Sequence, residues 1–155
     1  WMILSGNKNL AKDYIAGINM LSNMRLCSNV PGQSIIQTAL GGYQSVNEYI
    51  VPGGRIYEQR NYIYGALNSL PGISAVKPKA AFYIFPKIDT ERYRITNDTE
   101  FALDCLRETR ILFVPGTGFN WPKPDHFRIV YLPTVAVLQE AVEKLGRFLY
   151  DYSRR

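Results

Sequence analysis

The chain has 155 residues, room for one domain of ordinary size with a core, and a globular composition: 46% hydrophobic, 20% charged and 13% aromatic. Its net charge of +5 is scattered, the only basic run being Arg154-Arg155, so the clustered stripe and module that nucleic-acid binding needs are not visible. Two cysteines, Cys27 and Cys105, give neither a disulfide framework nor a zinc spacing, no apolar run approaches membrane-spanning length, and no signal-peptide pattern opens the chain. A reducing, cytoplasmic home without metal, membrane or nucleic acid is the expectation.

Trp1-Met2-Ile3-Leu4 reads as an apolar strand with nothing before it, which suggests a piece cut from a longer protein part-way through an element. After Ser5-Gly6, Asn7 is a plausible N-cap, and Leu10, Tyr14, Ile18 and Leu21 recur at helical spacing to about Arg25. Cys27 to Val30 is a break, and Pro31 suits the first turn of a second helix. That helix carries Ile35, Ile36, Ala39, Leu40 and Tyr43 before Gly41-Gly42 weaken its end. Pro52-Gly53-Gly54 punctuates. A longer helix then turns Ile56, Ile63, Leu67 and Leu70 inward and Arg55, Glu58 and Arg60 outward, and ends at Pro71-Gly72.

The period then changes. Ile73 to Val76 and Ala81 to Ile88 read as two hairpin-like strands about Lys77-Pro78-Lys79. A polar stretch from Thr90 to Thr99 leads to a helix with Phe101, Cys105 and Leu106 on one face, and Ile111 to Val114 is a buried-type strand. Asp89/Glu91 and Asp98/Glu100, in or beside that stretch, read as solvated acids rather than a catalytic pair. Pro115 to Pro124 is a Gly/Pro/aromatic loop that delivers the chain to a strand at Asp125–Pro133. The last helix, with candidate N-cap Thr134, has the broadest stripe: Leu138, Ala141, Val142, Leu145, Phe148, Leu149 and Tyr152. The order gives an α+β domain preceded by a helical arm.

In the strand around Arg128, alternation puts His126, Arg128, Val130 and Leu132 on one face and Phe127, Ile129 and Tyr131 on the other. A guanidinium near a core needs an anion, because an unpaired ion taken from water costs several kcal/mol. Three arrangements are open: an internal salt bridge, an edge strand with Arg128 in solvent, or a bidentate clamp for a ligand carboxylate. The long loop before the strand carries Phe119, Asn120 and Trp121, so an aromatic-walled cleft with one fixed cation is one reading, and a surface loop anchored by Trp121 the other. His126, the single histidine, is expected to pack rather than catalyse. Gly53-Gly54 and Gly116-x-Gly118 lack the setting of a nucleotide fingerprint.

Several segments together resemble the C-terminal part of class I/II pyridoxal-phosphate (PLP) aminotransferases of fold type I. They are the Arg128 strand with Pro115-Gly116 before it and the amphipathic helix after it, Lys79-Ala80-Ala81-Phe82-Tyr83-Ile84-Phe85-Pro86, Ser28-Asn29-Val30-Pro31 with Gln33, and Trp1-Met2. Tyr43 to Asn61 and Phe119-Asn120-Trp121-Pro122 look most like bacterial alanine aminotransferases. The resemblance implies that 1–30 end the family's large domain and 31–155 form its small domain, a small mixed sheet packed with helices.

It also implies that Arg128 holds the substrate carboxylate, that Phe119 and Asn120 line that cleft, and that Ser28 reaches the cofactor across a homodimer. The amino donor would be alanine and the acceptor 2-oxoglutarate, with Arg25 either a solvated helix end or an aid at the dimer. Ala80 stands where the family has glycine. The Schiff-base lysine follows Ser or Thr in the family, and none of Lys8, Lys12, Lys77, Lys79, Lys87, Lys123 or Lys144 does so here. The chain alone is therefore expected to be inactive and to bind no PLP. The competing class is a non-enzymatic α+β module that binds a small carboxylate or a protein partner.

Overall fold

The computed structural model describes residues 2–155, which divide into two compact units, 2–44 and 45–155. In the first, Asn7 caps as its sequence suggests, its Oδ1 accepting from the Asn9 N–H at 3.1 Å. A short 3-10 turn at Lys8–Ala11 leads into α1, Lys12–Asn23. Asn29 caps α2, Val30–Ser34, by accepting from Gly32 N–H at 3.0 Å, with Pro31 in the first turn where its missing N–H costs nothing. The helix expected after Pro31 breaks at Ile35, and α3, Ile36–Gly41, follows.

No residue described in this unit is buried, and Leu10 (86% exposed), Leu21 and Leu40 face outward. Trp1 of the opening apolar run lies outside the described residues, and 2–4 form no strand. A strand needs a partner ladder for its backbone, and none of the described strands supplies one.

The second unit contains the core. The short α4, Val46–Ile50, leads through Gly54 into α5, Arg55–Asn68. A Cβ on Gly54 would meet the Glu48 carbonyl oxygen at 2.3 Å, so this turn can close only with glycine. The strands are β1 (Ile73–Ser74), β2 (Tyr83–Ile84), β3 (Lys87–Ile88), β4 (Val114–Pro115) and β5 (Phe127–Val130). Helix α6, Asp98–Thr109, lies in the sequence between β3 and β4, and α7, Val135–Tyr152, ends the chain.

β1 pairs with β3, and β2 and β4 flank β5, every pairing being antiparallel. The run Ala81–Ile88 is two short strands, β2 and β3, about Phe85-Pro86 rather than one continuous strand. Both halves keep one register against the β5 segment, with Ile84 opposite Ile129 and Lys87 bridging His126, while β3 also pairs with β1 as the hairpin reading expects. Pro86 has no N–H for a continuous ladder, yet its carbonyl still accepts from Phe127 N–H at 3.2 Å. The α+β class read from the sequence is the one observed.

Alternation on β5 sets the core. Phe127 (1% exposed) and Tyr131 (0%) point inward, with Ile129 packed against the same cluster. Phe101 of α6 packs its ring between Phe113, Phe127, Phe148 and Tyr152, at centroid distances of 5.7, 6.4, 5.6 and 5.3 Å. Each such side chain removed from water contributes about 1.5–3 kcal/mol. The α7 stripe buries Leu138, Leu145, Phe148 and Leu149, and α5 adds Ile63 and Leu67. With Phe127 and Tyr131 inward, Arg128 must leave the opposite face of the sheet's middle strand.

Candidate carboxylate-binding site

Backbone register places Arg128. It stands opposite Val114 of β4, while its neighbours Ile129 and Val130 pair with Ile84 and Tyr83 of β2. The guanidinium carbon lies 4.3 Å from the Phe119 ring centroid and 4.6 Å from that of Tyr83, so two aromatic faces hold its plane. Among the described residues no carboxylate pairs with it, and its Nε is buried without a hydrogen-bond partner. Neither the internal salt bridge nor the solvent-facing edge strand is therefore present. Arg128 also borders an apolar cavity of about 330 Å³, together with Phe113, Val114, Val130 and Val137.

The loop from Pro115 is a built element. A 3-10 turn spans Gly116–Phe119, and Asn120 closes it in the left-handed region at φ 58°, where asparagine is tolerated. Gly116 is required, because a Cβ there would meet the His126 carbonyl oxygen at 2.7 Å. Buried Asp98, in the first turn of α6, accepts from the Thr117 N–H at 2.9 Å and from its hydroxyl at 2.7 Å. Further on, Trp121 donates from Nε1 to Asp125 Oδ1 at 2.8 Å. With both halves of the loop anchored to carboxylates, Phe119 is held against the guanidinium.

His126 packs, as its sequence setting suggests. Its ring stacks on Phe85 at 5.0 Å and lies 4.3 Å from Trp121, and its Nδ1 is 2.7 Å from Asp125 Oδ1. Burial pushes the Asp125 carboxyl up, but hydrogen bonds from His126 and Trp121 and the charges of His126 and Lys87 outweigh it, holding the pKa below its ordinary value.

Of the residues singled out from the sequence, Arg128 and Phe119 meet. Asn120 contributes through its backbone, and no side-chain hydrogen bond ties it to Arg128. Ser28 lies in the exposed turn between α1 and α2 of the first unit. Tyr83, Asp98 and Asp125 complete the site and were not read as site residues. Tyr83 sat within a recognised motif, whereas the two aspartates gave no local signal. Ala81, one residue beyond the alanine that replaces the family's glycine, takes the left-handed conformation at φ 57°. Among the described residues no cluster of His, Cys, Asp and Glu is arranged to hold a metal, and no helix is long and apolar enough to cross a membrane.

Comparison with known proteins finds close similarity along almost the whole chain. The chain is 59% identical over 152 residues to glutamate-pyruvate aminotransferase AlaA of Haemophilus influenzae, covering 98% of this chain and 38% of that protein. It is 50% identical to alanine aminotransferase of Mycobacterium tuberculosis, again over 98% of this chain and 35% of that one. A crystal structure of an aminotransferase from Escherichia coli superposes with a TM-score of 0.88 at 55% identity, covering 97% of this chain and 37% of that chain. Over nearly its whole length the chain is thus similar to part of an aminotransferase. A second aminotransferase structure, alanine aminotransferase from Pyrococcus furiosus, matches 86% of this chain and 33% of its own at a TM-score of 0.76 and 41% identity. No family model matches. The chain spans a little over a third of the length of the curated relatives it matches.

Proposed function

We propose that this chain is the C-terminal, carboxylate-binding part of an aminotransferase that moves an amino group between alanine and 2-oxoglutarate with PLP. In this reading 1–30 finish the large domain, 31–155 form the small domain, and the protein acts as a cytoplasmic homodimer in which Ser28 reaches the partner's cofactor. The observation that carries it is Arg128, a half-buried cation stacked between two aromatic rings with a buried donor and no acid of its own. Relatives named for transfer between glutamate and pyruvate support the substrate pair.

Arg128 binds the substrate α-carboxylate through two N–H groups of its fork, which a lysine could not present. Phe119 and Tyr83 fix the guanidinium plane, and Asp98 holds Phe119 there through Thr117. With the carboxylate anchored, the amino group has one position open to it, and orientation of this kind removes much of the entropic barrier.

PLP, when bound, supplies the electron sink for the transfer. The residues of this chain fit the substrate rather than that group. The orphaned donor suits a carboxylate, and no lysine here follows the Ser or Thr that the family motif requires. The chain by itself therefore transfers no amino group.

The test uses the longer polypeptide that carries this sequence. With PLP, alanine and 2-oxoglutarate it should form pyruvate and glutamate and show the visible band of protein-bound pyridoxal, while the 155-residue chain should do neither. A longer polypeptide that binds carboxylates without forming pyruvate would sink this reading.

A further inference from the structure

Arg128 is matched by a second arginine with a buried and unanswered Nε, Arg60 of α5. Its carbon lies 5.0 Å from the Tyr57 ring centroid, and the polar contact of its guanidinium is a long one of 3.4 Å from Nη2 to Asn61 Oδ1. It faces a cavity of about 410 Å³ lined by Ile50, Ile56, Tyr57, Lys79, Tyr131 and the backbone at Ala80-Ala81. Two cations thus line one cavity, and no carboxylate stands among its lining residues or pairs with either. The charge is felt inside. Burial raises the Tyr131 phenol pKa, and the Arg60 guanidinium pulls against that rise. A half-buried donor and two like charges without a counter-ion are an unfavourable arrangement that an anion would relieve.

We infer that this cavity is a second carboxylate-binding site, on the face of the three-stranded sheet opposite Arg128. Arg60 grips the carboxylate end-on through its Nη groups, Lys79 adds a point charge, and Ile50, Ile56 and Tyr57 receive the apolar body. That lining favours an organic acid over a bare inorganic anion. The carboxylate has two available sources: a free small acid, or an Asp or Glu side chain from polypeptide beyond these 155 residues. Matched relatives are more than twice as long as this chain.

The test is a titration of the 155-residue chain with glutarate at constant ionic strength, followed by amide NMR in an Arg128→Met background so that the first site is silent. Saturable shifts at Tyr57, Arg60 and Ala81 are expected. Arg60→Met should weaken them at least tenfold, and Arg60→Lys, which keeps the charge and loses the fork, at least threefold. If Arg60→Met fails to fold, the lysine variant gives the reading.

The source is read in the longer polypeptide. A free acid as ligand predicts that glutarate raises its Tm and that Arg60→Lys abolishes the rise. An internal acidic side chain predicts no response to glutarate and a lower Tm for Arg60→Lys itself. No shift at Tyr57 in the short chain, or shifts that persist unchanged in Arg60→Lys, would overturn the inference.

Discussion

Replacing Arg128 separates binding from folding, and the two effects should differ in size and even in sign. Arg128 offers a carboxylate two charge-assisted hydrogen bonds, each contributing about 1.5–3 kcal/mol. Its stacking on Phe119 and Tyr83, at 4.3 and 4.6 Å, adds about 0.5–1 kcal/mol per ring. Lysine keeps the charge, loses one of the two hydrogen bonds and part of the stacking, and so should forfeit about 3 kcal/mol, or roughly 10²-fold in kcat/KM for alanine.

Stability should behave differently. Arg128 pairs with no acid and its Nε is buried without an acceptor, so methionine removes an uncompensated cation and restores apolar contact. Arg128→Met should leave stability within about 1 kcal/mol of wild type, or raise it, whereas breaking a buried ion pair costs about 3–5 kcal/mol. The assay is steady-state kinetics on the longer polypeptide beside thermal unfolding of the 155-residue chain, in which 1 kcal/mol corresponds to about 2–4 °C. Kinetics of Arg128→Lys within twofold of wild type, or a loss of about 8 °C or more in Arg128→Met, would refute the reasoning.

Three further outcomes follow from the supports around the site. Asp98→Ala removes both hydrogen bonds to Thr117 and should cost about 2–3 kcal/mol in urea unfolding; it should also weaken carboxylate binding by freeing Phe119, so unchanged affinity would detach the loop from the site. Because the folded pKa of Asp125 lies below its unfolded value, its contribution is fully present above the ordinary carboxylate pKa of about 3.9 and is lost as pH falls through the lower folded value. The stability read from unfolding curves should therefore fall less between pH 6 and 2 for Asp125→Asn than for wild type. Ala81→Gly relieves a left-handed backbone (φ 57°) that disfavours a Cβ and should stabilise by about 0.5–1 kcal/mol, read as a higher urea midpoint.

What the sequence disclosed follows the range of the forces involved. The last helix was legible because its apolar stripe is a local periodicity, and the same positions, Leu138, Leu145, Phe148 and Leu149, are buried. Alternation on the Arg128 strand was legible for the same reason. The hairpin of Ile73–Val76 with Ala81–Ile88 was legible only in part. β1 and β3 do pair, but period-2 alternation could not say that β2 and the bridge at Lys87 would take the β5 segment as their other neighbour. The strand expected at the opening failed likewise, because a strand's stability lies in its partner and none of the described strands pairs with 2–4.

The site divides along the same line. A guanidinium inside an apolar strand is a conflict visible in the sequence, and it asks for a counter-ion by itself. Asp98, in contrast, looked like one of several solvated acids in a polar stretch, because its partner Thr117 lies 19 residues away and meets it only after α6 and the loop have folded. Asp125 was hidden similarly: flanked by Pro124 and His126, it gave no hint that Trp121 would donate to it. Residues that would touch a ligand were thus recognisable by their own chemistry, while those that hold them in place became visible only through contacts. The same reasoning explains Arg60, which read as an outward charge on a helix until the cavity beside it proved to contain Lys79 and no acid. An unpaired cation is a statement about everything around it, and only a folded chain specifies that.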